Sequence, residues 1–366
     1  MIVPSISTFG SKSSPISAAS VSSWGNWDSV SRLRTTTVGN RLWSLVVCLS
    51  ALALPQGVQG QDSEVGSTEG ALFLLLPVGA QGVALGRAMT AVPSSESAFW
   101  NPAGLAGMEE SRLVVMRGDH LVGEGTALSA LMASQPIGVI GVSYQLLDEG
   151  EQDLTDINGN VRGSLSIRSQ VGIVSLASQL SDWLDAGFNL KVVKFNLNCR
   201  GQCDGGEGIR ATGWAMDVGL QSQPFSSTPL RVGAMLAHMG PDFQVVNAEQ
   251  ADPLPSRVRI SAAYNFLTHF VDTDEINLWV RLEVEDRWRD PGEAPSYYVG
   301  TELTAGRGDL IYVRSGYVQG EVGQADGVAI GLGLRYERFD LGLAKNLAGS
   351  ITGESEPVHV SFGIVF

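Results

Sequence analysis

From about residue 111 to the C-terminus the chain alternates apolar and polar residues with a period of two, one segment after another. In Ile276–Glu285, the residues Ile276, Leu278, Val280, Leu282 and Val284 fall on one face, and Asn277, Trp279, Arg281, Glu283 and Glu285 on the other. Leu184–Val192, Arg257–Phe266 and Val328–Glu337 repeat the pattern. Successive side chains of a β-strand point to opposite faces, so this spacing predicts strands that divide an apolar environment from a polar one. About 14 such segments begin near Arg112, Thr126, Ile137, Leu165, Leu184, Ala211, Leu230, Arg257, Ile276, Ser296, Leu310, Val328, Phe339 and Val358. Turn sequences separate them, among them Asn158-Gly159-Asn160, Asp204-Gly205-Gly206 and Asp290-Pro291-Gly292.

A soluble sandwich also alternates, with its apolar face turned inward. Three features favour a membrane barrel. Most segments reach about 9–11 residues, the length that crosses a bilayer at a tilt. The polar face is rich in Gly, Ala and Ser, as a crowded lumen requires; the chain holds 44 Gly and only 17% charged residues. The last segment places Phe362, Ile364 and the final Phe366 on its apolar face, opposite His359, Ser361 and Gly363. Such an ending resembles the signal that outer-membrane barrel assembly machinery reads. The expected fold is therefore all-β: a transmembrane antiparallel β-barrel of about 14 strands over residues 111–366. An even count lets the last strand pair with the first and leaves no sticky edge.

The N-terminal 60 residues read as a targeting segment. A Ser- and Thr-rich leader precedes Arg32, Arg34 and Arg41, then the apolar run Leu42–Leu54, then Pro55 and Val58-Gln59-Gly60. Charged, apolar and cleavable regions in that order make a secretory signal. The run is too short to span a bilayer as a helix. Export would expose Cys199 and Cys203 to an oxidising compartment, where a disulfide clip on a loop is the expected use of such a pair. A metal site would need two further soft ligands, and none is visible. The net charge of −14 disfavours nucleic acid as a partner.

Residues 61–110 hold the most specific motif. Gly79–Val92 is rich in Gly and Ala, and after a short Ser-rich stretch the chain reads Trp100-Asn101-Pro102-Ala103-Gly104-Leu105-Ala106. Asn before Pro favours a turn or cap, and Pro102 can open a helical turn without losing a needed hydrogen bond. The motif resembles the N-terminal region of FadL-type hydrophobic-compound transporters and their PorV/PorQ-type relatives. Gly86-Arg87-Ala88-Met89 stands where that family usually has Gly-Gly-Ala-Phe, and Ser94-Ser95-Glu96 replaces a more acidic linker. The resemblance implies that residues 61–110 fold into the lumen as a hatch.

No His-Glu-x-x-His run, Gly-x-Ser-x-Gly elbow or phosphate loop is present, so no enzyme, metal or cofactor is expected. His120, His238, His269 and His359 are read as solvated or lumenal. Asp185, Lys191, Arg281, Glu283, Glu285, Arg335 and Glu337 are expected to face the lumen and to pair there. Trp183, Trp214, Trp279 and Trp288 lie near strand ends, where some would form an interfacial girdle. The resemblance implies two roles. One is an outer-membrane channel for small hydrophobic compounds. The other is a PorV-like component of a secretion machine that holds secreted proteins through its longer loops, Cys199–Gly208 and Gly240–Pro255. The short mature length favours the PorV/PorQ branch for ancestry. The expected partners are outer-membrane lipids, the assembly machinery, and either hydrophobic molecules or secreted proteins.

Overall fold

The structure is a computed structural model that describes residues 69–366 apart from 121–122, 135–136, 204–207, 226–227, 246–250, 271–274, 293–294, 321–325, 348–357 and the side chain of His269. The expected export signal, Cys48 included, lies outside the described residues, as does the turn at Asp204-Gly205-Gly206.

The strands are β1 (Arg112–His120), β2 (Gly123–Ser134), β3 (Gly138–Thr155), β4 (Val161–Ser181), β5 (Leu184–Gly201), β6 (Ile209–Ser222), β7 (Leu230–Met239), β8 (Phe243–Gln244), β9 (Ala251–Asp252), β10 (Arg257–Asn265), β11 (Ile276–Arg287), β12 (Ser296–Ala305), β13 (Leu310–Gln319), β14 (Gly327–Tyr336), β15 (Phe339–Asn346) and β16 (Val358–Val365). Fourteen of them close into one antiparallel barrel, and β8 and β9 form a separate ribbon within the β7–β10 connection. Closure runs through β1 and β16, paired from Arg112↔Val365 to Gly118↔His359. The final residue is tied into the seam, its N–H donating to the Ser111 carbonyl at 3.0 Å.

Every barrel strand turns an apolar row outward. Ile260, Leu282, Val174 and Leu332 are exposed, while Arg259, Glu283, Ile173 and Arg281 between or beside them are buried. In hydrocarbon no backbone polar group can stay unpaired, and a closed ladder with an apolar exterior meets that condition. The terminal strand obeys the rule, with Val358, Val360 and Phe362 outside, and the Phe362 ring stacks on Phe339 at 6.1 Å. Trp183, Trp214 and Trp288 are exposed, at positions suited to the membrane interfaces. One expectation about a side chain fails, at Glu337, and Trp279 takes the row its alternation gave it. Trp279 occupies the inward row of β11, where the Arg231 guanidinium covers its ring at 4.9 Å, so it is no girdle residue. Glu337 does not face the lumen; it sits exposed in the β14–β15 turn with φ 50°, its N–H donating to Asp309 Oδ1 at 2.9 Å.

The two barrel ends differ. β4–β5 and β14–β15 turn tightly at the end that carries the C-terminus. At the other end β3, β4 and β5 run on for 18, 21 and 18 residues in all, past the apolar band. That extension is held by Arg168–Asp148 at 2.8 Å, Arg162–Asp156 at 3.2 Å and a Cys199–Cys203 disulfide. Short turns mark the periplasmic end of outer-membrane barrels.

Candidate functional site: the hatch and the lumen around it

Residues 69–110 lie against the inward rows of the barrel. A 3-10 turn (Leu72–Leu75), the short helix α1 (Ala80–Ala84) and a second 3-10 turn (Pro102–Leu105) give the segment its regular structure. The barrel wall makes room with small residues. Backbone of the hatch passes directly over Gly187, Gly233 and Gly316, and the Asn101 side chain over Gly219, so that a side chain at any of the four would overlap the hatch. The Gly-rich polar face of the sequence is the footprint of this contact.

Trp100 to Leu105 of the motif are buried, and Ala106 is partly so. Asn101 Nδ2 donates to the carbonyls of Thr90 (2.7 Å) and Leu220 (3.1 Å), while its Oδ1 accepts from the Ala103 N–H at 3.1 Å and so caps the 3-10 turn that Pro102 opens. Trp100 donates from Nε1 to the Val78 carbonyl at 3.0 Å. Its ring covers Gly82, so Trp100 and α1 pack as one piece. Ala103 and Gly104 lie in the same turn, and Leu105 packs on Leu131, Val139 and Ala177 of the wall.

Three polar clamps fix the hatch. The first is Glu283 on β11, which accepts from the Thr90 N–H (2.8 Å) and hydroxyl (2.7 Å). Arg259 on β10 backs it, with Nη2 2.7 Å from Glu283 and also donating to the Arg87 carbonyl at 3.0 Å. The same guanidinium lies over the Trp100 and Tyr298 rings. The second clamp is Gln221 on β6, donating to the Thr90 and Val92 carbonyls, together with Asn189 on β5, donating to the Ala98 carbonyl. The third is Glu96 of the hatch itself. It accepts from the Gln81 and Gly82 N–H groups and from the Ser361 hydroxyl of β16. Burial pushes the Glu96 carboxyl above its ordinary range, against the opposing pull of those hydrogen bonds and of the Arg314 charge.

Toward the loop end, Ala71, Phe73 and Leu74 of the hatch meet Phe243 and Leu254 of the β7–β10 connection and Val193, Ala211 and Ala215 of the wall. Glu69 accepts two hydrogen bonds from Arg257, at 2.7 and 2.8 Å. The wall changes character here. Pairing of β6 with β7 runs from Ser222↔Val232 to Val218↔Leu236, then slips at Met216↔Met239. Asp217 fills the slip. Its Oδ1 accepts from the His238 N–H at 2.9 Å, and its Oδ2 takes Lys191 Nζ at 2.7 Å and Asn189 Nδ2 at 2.8 Å. His238 adopts φ 56°, a left-handed conformation that costs a non-glycine residue roughly 1–2 kcal/mol. Side chains thus hold the sheet together where backbone pairing lapses.

Five of the seven charges expected to pair in the lumen do so, while Asp185 makes no ion pair among the described residues and lies within electrostatic reach of Arg231. Lys191 meets Asp217, Arg259 meets Glu283 and Glu285, Arg281 meets Glu302, and Arg335 meets Asp340. Below the hatch, at the C-terminal end, lies a chamber of about 410 Å³ bordered by Arg231, Arg281, Arg314, Trp279 and Tyr312 on the wall and Ser94–Glu96 on the hatch. Two small voids, of about 30 and 10 Å³, lie above the hatch. The large apolar hollow, about 720 Å³, is a groove on the outer wall, among Leu220, Val232, Ala234, Ile260, Leu282 and Tyr297. Sequence reasoning named the motif and the lumenal charges but missed Thr90, Glu96 and Gln221; nothing in their spacing marks them as hatch contacts.

Fold and hatch together define a class: a closed antiparallel barrel that carries its own N-terminal segment as a plug. Solved barrels share this shape. The CymD monoaromatic hydrocarbon channel is 13% identical, with 80% of this chain and 98% of that one covered and a TM-score of 0.55. The Ralstonia pickettii toluene transporter TbuX is 13% identical over 79% of this chain and 98% of its own, with a TM-score of 0.52. The Pseudomonas putida toluene transporter TodX is 12% identical over 77% and 98%, with a TM-score of 0.53. At such identity the likeness establishes the fold. No protein-family profile and no curated protein matches the sequence.

Proposed function

We propose that this chain is a non-enzymatic outer-membrane channel through which small hydrophobic compounds pass, with residues 61–110 as its hatch. The observation that carries the reading is the state of the lumen. It is filled by the chain's own N-terminal segment, and that segment is held by polar clamps at Thr90, Glu96 and Asn101 as well as by packing. Hydrogen bonds can be exchanged for others as a segment shifts, whereas a continuous apolar core would have to be torn open. The likeness to hydrocarbon channels supports the same reading, as do the residues of the Trp100–Ala106 motif.

The slipped pairing at Asp217 and the apolar groove beside it supply a sideways route. A compound entering from the loop end would reach the wall where backbone pairing stops and leave along Leu220, Ala234 and Ile260 into lipid. Export by residues 1–60 and insertion by the assembly machinery belong to this proposal. The PorV/PorQ branch and a secretion role gain no support from these structures.

The test is uptake of radiolabelled toluene by outer-membrane-bearing cells with and without the chain. Faster uptake that saturates supports the channel. Uptake equal to the empty-vector control, with the barrel present in the membrane, sinks it.

A further inference from the structure

The chamber beneath the hatch is more than vestibule space. Arg281 is 4% exposed and borders it. One nitrogen, Nη2, donates to Glu302 Oε1 at 2.8 Å, while Nε and Nη1 have no hydrogen-bond partner. A buried N–H left unpaired costs about 1–3 kcal/mol. Arg314 shares the same carboxylate, its Nε donating to Glu302 Oε2 at 2.6 Å. Arg231 stacks on Trp279 and stands within electrostatic reach of Arg281, Asp185 and Glu302, without a salt bridge of its own among the described residues. Arg112 and Arg335 complete the cationic lining, both on Asp340. The carboxylates facing these five arginines are fewer: Asp185, Glu302, Asp340 and Glu96, of which Glu96 is already bound to the hatch amides. Glu109 and Glu110 stand exposed at the mouth, Glu110 within electrostatic reach of Arg112 and Arg335 but not of Arg231.

We propose that this chamber binds a small organic acid, its carboxylate received by Arg281 and Arg231 with Arg314 beside them. A guanidinium presents N–H donors in a planar fork that matches a carboxylate, and a charge-assisted pair is strongest where water is scarce. Trp279 and Tyr312 also border the chamber, and their rings hold the Arg231 and Arg314 guanidinium groups at 4.9 and 4.5 Å. Its volume of about 410 Å³ is ample for one such molecule, and it opens at the C-terminal end. The site goes beyond the channel reading and stands without it, because binding is measured without transport.

The experiment is calorimetric titration of the purified, detergent-solubilised full chain with benzoate, benzyl alcohol and inorganic phosphate. Benzoate should bind saturably and benzyl alcohol should not. Arg231→Gln should weaken benzoate at least tenfold, and Arg281→Gln likewise. Arg117→Gln, at the opposite end, should leave it unchanged. Arg231 is only partly buried and outside the Glu302 pairs, so its variant reports on the site even where Arg281→Gln fails to fold. No saturable benzoate binding, or wild-type benzoate affinity in both arginine variants, overturns the site. Phosphate competing as well as benzoate overturns the carboxylate assignment.

Discussion

Glu283 grips Thr90 twice: its carboxylate accepts both the backbone N–H and the hydroxyl of a residue 193 positions earlier, at 2.8 and 2.7 Å. The contact joins the middle of the hatch to the middle of β11, and Arg259 stabilises the carboxylate that makes it. Glu283→Ala should release this clamp and leave Arg259 with less compensation. The expected loss is about 3 kcal/mol in hatch docking, from two charge-assisted hydrogen bonds and a broken buried pair. Hydrogen exchange of amides 80–105 should accelerate at least tenfold while the barrel strands stay protected. Uniform protection in the variant would show that Glu283 does not hold the hatch.

Asn101 is the polar centre of the motif, with three hydrogen bonds that no other residue type can reproduce together. Asn101→Ala should cost roughly 2–3 kcal/mol, from a lost cap and two orphaned carbonyl contacts. Asn101→Asp should be no better, since it sets a carboxylate against the Thr90 and Leu220 carbonyls. Protease accessibility of residues 93–110 reads the effect. Equal resistance in wild type and both variants would remove Asn101 from the account.

Gly187 lies under the same motif, and a methyl group there would overlap the Pro102–Ala103 backbone. Gly187→Ala should displace the hatch while the barrel still forms. Gly172→Ala, on the same sheet with open space around it, should do nothing. Gel mobility of heated and unheated protein reports the barrel, and a thiol label at Ala103→Cys reports the hatch. Labelling that does not rise in the Gly187→Ala background would contradict the close packing.

Much of the barrel was legible because lipid and lumen impose opposite demands on alternate residues. The starts at Arg112, Leu184, Leu230, Arg257, Ile276, Ser296, Leu310, Phe339 and Val358 coincide with those of the structure. β4 begins at Val161 instead of Leu165. Its first residues stand in the extension, where both faces are wet and the alternation fades. Trp279 was legible on the polar face of its segment; its contact with Arg231 was not, because that residue lies on another strand. The β8–β9 ribbon left no signal, and Lys191 and His238 were legible as lumenal residues while Asp217 as their shared partner was not, since it lies on another strand. The motif around Asn101 was visible. Its partners Thr90, Leu220 and Gln221 were not, because spacing along a chain says nothing of which strands face a plug.

Glu96 ties hatch stability to pH. Its carboxyl ordinarily titrates near 4.5, and burial in the docked hatch raises that value. The docked state therefore binds the proton more tightly than the released state. This contribution to docking is full below the ordinary value and is lost as pH rises through the raised one. Exchange of amides 80–83, corrected for intrinsic rates, should be slower at pH 5 than at pH 8. Glu96→Gln should remove the difference. A hatch that loosens on acidification would reverse the assigned sign.

The most direct test of the hatch-gated channel is solute flux into proteoliposomes holding wild type or Glu283→Ala, with toluene and arabinose measured side by side. The wild type is predicted to pass toluene and exclude arabinose, and the variant to pass both. Equal arabinose flux through the two proteins, or no toluene flux through the wild type above that of empty liposomes, would contradict it.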